Sequence, residues 1–100
     1  SKERSALLPE VATMAEAGVP NIVVRDWQGL LAPRGTPKPI VDRMYAATIK
    51  VMALPEDKKV WDSLGASPGG QSPAEFEKFV KQEIATWGKV VKASGAKVDN

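Results

Sequence analysis

The sequence predicts an α/β chain dominated by helices, with one long strand and a sheet that is small or incomplete. Three observations predict it. Residues 21–32 hold a β-branched run, Ile22-Val23-Val24, followed by Trp27, residue types that suit a pleated, half-buried surface. Three later stretches, near 37–53, 56–64 and 73–94, repeat apolar residues at helical spacing. Proline stands at or beside the start of each stretch, and Gly65 and Gly95 stand past the ends of the last two, which is how helices begin and stop. A lone strand cannot complete a sheet, so the sheet depends on partners.

The elements follow in chain order. Thr13-Met14-Ala15-Glu16 has capping-box spacing, with a Thr oxygen for an orphan N–H and a Glu reaching back. Gly18 supplies a left-handed C′ position and Pro20 stops the turn. A start at Pro9 would make Leu8 the N-cap, a poor residue for that role, so the spacing favours a helix of little more than one turn. In the strand 22–32, Arg25 and Asp26 sit mid-run and Gly29 interrupts it. That suits a bend, a bulge or a passage between two environments.

Pro33-Arg34-Gly35-Thr36-Pro37 reads as a turn entering a helix, with Thr36 as N-cap and Pro37 at N1. Ile40, Val41, Met44, Tyr45, Thr48, Ile49 and Met52 continue it, and it should end near Ala53 or Leu54. Pro55 opens the next helix, with Glu56 and Asp57 in the first turn, where the dipole favours anions. Val60, Trp61 and Leu64 form its apolar face and Gly65 caps it. Residues 66–71 are a short extended connection. Ser72-Pro73-Ala74-Glu75 is the strongest local signal, an N-cap with proline at N1 and a closed capping box. Phe76, Phe79, Val80, Ile84, Trp87 and Val91 line one face of the long helix that follows, Glu77 and Lys81 form an i,i+4 pair, and Gly95 ends it.

Composition excludes several functions. Apolar residues make up 43% and charged residues 26% of 100 residues, which is ordinary for a small globular domain or part of one. A net charge of +2 is no basic stripe, so nucleic acid is not an expected partner. With no Cys and no His there are no disulfides, thiolate or imidazole metal sites, or Ser-His and Cys-His mechanisms. No nucleophile–base pair, metal set or cofactor motif is present, so the chain reads as no enzyme and no cofactor is expected. Ser1-Lys2-Glu3-Arg4-Ser5 carries no apolar signal region. A cytosolic protein fits that opening, and so does a chain left by processing or truncation.

Sharper readings weaken on inspection. Gly65-Ala66-Ser67-Pro68-Gly69-Gly70 lacks the Gly-Lys-Ser/Thr ending of a phosphate loop and reads as a connection. Lys58 and Lys59 beside Trp61 lie among Glu56, Asp57 and Asp62, as on a solvated helix face. Asp26, Asp42, Asp57 and Glu75 each have a local role, and no spacing pairs two of them for acid/base work. The aromatics Phe76/Phe79 and Trp61/Trp87 read as core before ligand site. Trp27-Gln28-Gly29 is the most evenly balanced case: Trp and Gln carry polar tips, and Gly lets another group approach the backbone.

The same residues, taken together, resemble a family. Arg4-Ser5 with Leu8-Pro9-Glu10-Val11-Ala12-Thr13 is followed by Ala15-Glu16-Ala17-Gly18-Val19-Pro20. Next come Trp27-Gln28-Gly29-Leu30-Leu31-Ala32-Pro33, Gly35-Thr36-Pro37-Lys38-Pro39-Ile40-Val41-Asp42 and Leu64-Gly65-Ala66. Ser72-Pro73-Ala74-Glu75-Phe76 and Trp87-Gly88-Lys89-Val90-Val91-Lys92 complete the series. In this order they resemble the C-terminal part of the Bug-type solute-binding receptors of tripartite tricarboxylate transporters, over nearly the whole chain. The chain departs from the family pattern at Ala12, where a second Pro is usual, and at Leu54, where an Asp is usual.

The resemblance implies a C-terminal fragment of a type II periplasmic-binding-protein fold. Members are periplasmic receptors, much longer than this chain, whose two α/β lobes close like a flytrap over a small organic acid and hand it to membrane transporter subunits. It assigns residues 1–21 to a remnant of the second lobe and 22–100 to the C-terminal part of the first. Within such a receptor, Trp27, Gln28 and Asp26 are the residues of this chain expected near the ligand cleft or hinge. The N-terminal loops that grip ligand in the family have no counterpart here, so the fragment alone is not expected to bind. A second expectation, of a different class, is a self-associating interaction module without a small-molecule ligand. It would form a homodimer through an exposed strand edge or its helix faces.

Overall fold

A computed structural model describes residues 1–97. Its regular elements are three helices, α1 (Lys38–Met52), α2 (Pro55–Ser63) and α3 (Pro73–Ser94). The last three residues of the stretch 22–100 assigned to the first lobe lie outside the described residues.

The helix ends follow from local chemistry. Ser72 accepts the Glu75 N–H at 3.4 Å while the Glu75 carboxylate accepts the Ser72 N–H at 2.8 Å, a reciprocal capping box at the start of α3. Gly95, at φ 67°, ends that helix in the left-handed conformation. At the end of α2 the Gly65 N–H reaches the Asp62 carbonyl at 3.2 Å and the Ala66 N–H reaches Trp61 at 3.0 Å. That is the Schellman arrangement, with Gly65 at φ 63°. Thr36 departs from its expected role. The N-cap is Pro37, expected at N1, so Thr36 stands one residue outside the helix with its hydroxyl donating to the Pro33 carbonyl at 2.8 Å, and α1 starts without a side-chain cap. The Pro37 carbonyl accepts the first helical bonds, from Ile40 and Val41.

Near the N-terminus the expected single turn forms. The Thr13 N–H donates to Glu16 Oε2 at 2.8 Å, and the Glu16 N–H donates to the Thr13 hydroxyl at 3.2 Å. Gly18 N–H to Ala15 and Val19 N–H to Met14 close it, with Gly18 at φ 93°. Arg4 ties this turn to the chain start through Glu16 at 2.8 Å and the Pro9 carbonyl at 2.9 Å.

The predicted α/β class is overturned. No strand, and so no sheet, exists among the described residues, and 22–32 is irregular and exposed throughout. The exposed strand edge offered for dimerisation is therefore absent as well. The physical reason is that a helix satisfies its own backbone, whereas a strand needs a second strand. Ile22, Val23 and Val24 supply strand propensity, but that propensity measures fit to a sheet surface and does not create one. The three helices meet only through α1, which touches both α2 and α3. No described residue is buried, and the Cα radius of gyration is 17.0 Å, where a compact chain of this length gives roughly 13 Å.

Candidate functional site

The best-defined meeting of distant residues lies where the 22–32 segment crosses α3. Phe76, Phe79, Glu83 and Trp87 recur every three or four residues on α3, which aligns them on one face. The Trp27 ring stands edge-on to both phenylalanines, with centroids 5.6 Å from Phe76 and 5.2 Å from Phe79. The two phenylalanines stack at 6.2 Å. Such pairs contribute about 0.5–1.5 kcal/mol each beyond the area they cover. The indole N–H of Trp27 donates to Glu83 Oε2 at 3.3 Å, and that of Trp87 donates to the same oxygen at 3.0 Å. Gly29 makes the crossing close: a Cβ there would overlap the tip of the Phe76 ring.

Of the three residues expected at a cleft, this arrangement brings Trp27 against another element, though it remains 38% exposed. Asp26 and Gln28 are exposed on either side of it in the chain. Glu83 escaped the sequence reading because periodicity selects apolar residues and passes over an acid in their stripe. Its signal was the spacing, four residues after Phe79 and four before Trp87.

A second feature is an open groove of about 520 Å³ where the first turns of α1 and α3 approach, lined by Thr36, Lys38, Asp42, Tyr45 and Ser72 among others. Tyr45 donates to the Gly70 carbonyl at 3.1 Å, pinning the 66–71 connection to α1. Asp42 is ion-paired to Lys38 one turn earlier, so it is a helix-surface residue with its partner already chosen. The acids with displaced titration are structural. Glu75 is held below its ordinary range by the Ser72 hydroxyl and then the Ser72 N–H. Glu16 is lowered by the Thr13 N–H and then by Arg4, and Glu77 by Lys81. Among the described residues no group of three or more acidic side chains is placed to hold a metal ion, and no helix is long and apolar enough to cross a membrane.

Comparison with known proteins bears on this geometry. The sequence model of the family described as "Tripartite tricarboxylate transporter family receptor" matches residues 1–96. A UPF0065 protein from the tcbD-tcbE intergenic region of Pseudomonas sp. (strain P51) is 37% identical over 92 residues, covering 91% of this chain and 27% of that protein. Protein BugT of Bordetella pertussis is 37% identical over 101 residues, covering 98% of this chain and 30% of BugT. A UPF0065 protein from the TAR-I ttuE-ttuC' intergenic region of Agrobacterium vitis is 31% identical, with 95% and 28% covered. The chain thus spans less than a third of the length of these curated relatives. No solved structure matches it.

Proposed function

We propose that this chain, which belongs to the tripartite tricarboxylate transporter receptor family, is the C-terminal part of a non-catalytic periplasmic receptor that captures a small organic acid. One observation carries the reading: the family match runs over residues 1–96 while the relatives are more than three times as long. The absence of any buried residue among those described supports it, because apolar faces without a core suit a chain that packs on something larger. In the whole receptor, backbone N–H groups, hydroxyls and ordered water hold the carboxylate, and lobe closure buries it. The receptor then delivers the acid to membrane subunits of the transporter. Trp27, Gln28 and Asp26 lie on the segment we assign to the cleft or hinge.

This chain alone supplies at most part of one wall and is not expected to hold the acid. Calorimetry with citrate, other di- and tricarboxylates and acidic amino acids tests both statements. The receptor encoded by the complete reading frame should bind at least one of them, and the 100-residue chain none. Micromolar binding by the chain alone refutes the incomplete-site reading. A complete receptor that binds none refutes the carboxylate reading.

A second reading is favoured by one observation: on the helices, Ile84 is 68% exposed, Met44 57% and Val60 53%. Two copies can cover such surface by pairing helix faces. Sedimentation at several concentrations should show reversible association, and a strict monomer at all of them overturns this reading.

A further inference from the structure

We propose that Glu83 is the positioning residue of the 22–32 segment, holding Trp27 by its indole N–H and through it fixing where Asp26 and Gln28 stand. The segment cannot hold itself. Among the described residues, no backbone–backbone hydrogen bond involves residues 23–32, and every residue in 22–32 is exposed. A weak bond of 3.4 Å from the chain's amino group to the Val24 carbonyl steadies one end. The middle is fixed at one place, where Trp27 meets Phe76, Phe79 and Glu83 and Gly29 lies against Phe76.

The two kinds of contact do different work. Edge-on aromatic pairing gives attraction with a broad choice of ring position. The hydrogen bond to Glu83, long at 3.3 Å, adds little attraction of its own but is directional, and selects one ring position among them. Glu83 is itself steadied, because the same oxygen accepts from Trp87 one turn further along its own helix. Trp87 thus holds the carboxylate on the helix face and Glu83 holds Trp27. The bearing on solute capture rests on the receptor reading above; the positioning of the segment does not.

The test uses the 100-residue chain. Backbone and indole ¹⁵N relaxation should show Asp26, Trp27 and Gln28 ordered in the unaltered protein, near the order parameter of about 0.85 typical of rigid backbone. Glu83→Leu should drop the three residues below about 0.6 and move the Trp27 and Trp87 indole resonances while leaving Trp61 in place. Glu83→Gln keeps an oxygen of similar reach and should restore most of the order. Unchanged order in Glu83→Leu overturns the proposal, and so do Gln and Leu variants that behave alike. If Glu83→Leu loses its helix signal, the unaltered protein decides: a mobile Trp27 indole overturns the proposal, and a rigid one together with rescue by Glu83→Gln upholds it. In the complete receptor, Glu83→Leu should weaken several-fold the binding of whichever of citrate, the other di- and tricarboxylates and the acidic amino acids the unaltered receptor holds. Failure of the unaltered receptor to bind any acid, with the relaxation pattern intact, sinks the receptor reading and leaves the positioning role standing.

Discussion

A side chain at Gly29 has nowhere to go. The backbone there passes so close to Phe76 that a Cβ overlaps the ring, so Gly29→Ala must move the ring or lift the segment. In a well-packed core such overpacking costs about 1–3 kcal/mol, and at this exposed crossing, where the Phe76 ring is half-buried and can shift, the cost falls at or below the lower end. The variant should lose much of the near-ultraviolet circular dichroism of the Trp27–Phe76–Phe79 group while keeping its helix signal; an unaltered aromatic spectrum would show that the segment does not press on Phe76. Protons act at the same scale. Glu16, Glu75 and Glu77 are all held below the ordinary value of 4.5 by bonds made in the folded chain. A carboxylate depressed on folding contributes stability that is fully present above its unfolded value. That stability is lost as pH falls through the lowered folded value. Acid titration should therefore leave the helix signal flat down to about pH 4.5 and reduce it below that. A loss beginning near neutrality contradicts the assignment of these acids to caps and surface pairs.

At the scale of the element, the capping box of α3 sets how well that helix begins. Ser72→Ala removes the acceptor for the Glu75 N–H and should cost about 1 kcal/mol, read as an earlier loss of helix signal in urea; an unshifted curve would show the box to be idle. The helices were legible because their rules are local. Pro55, Pro73, Gly65 and Gly95 stand where chain geometry alone demands an end. The expected ranges 37–53, 56–64 and 73–94 lie within a residue of the observed ones at each end. The turn at Thr13–Gly18 was legible for the same reason. The expected strand fails for the opposite one, since Ile22–Val24 can form a ladder only with another strand, which local sequence cannot supply. Thr36 fails in a smaller way: the helix starts one residue later, with Pro37 as its N-cap, and the Thr36 hydroxyl, left outside, donates to the Pro33 carbonyl. Of the site, Trp27 and the Phe76/Phe79 face were visible as residue types. Their meeting, and the place of Glu83 between them, depends on a contact spanning 56 residues of chain that periodicity does not encode.

For the molecule as a whole, the governing quantity is what it leaves uncovered. With no described residue fully buried, unfolding exposes less new apolar surface than it does for a compact chain of this length, and the urea dependence of stability scales with that exposure. The isolated chain should unfold broadly, with a slope at or below the lower end of the roughly 1–3 kcal/mol/M range of small proteins, and it should bind an apolar dye at neutral pH. A steep transition without dye binding would mean that the chain closes on itself in solution. The connectivity of the helices adds a mechanical consequence. Because α2 and α3 each touch α1 and not one another, α1 serves as an axle on which the other two are mounted separately. Cutting the tether at 66–71 would leave no direct grip between those two passengers, so α2 would ride on the axle, while α3 would keep a second mooring where Trp27 crosses it.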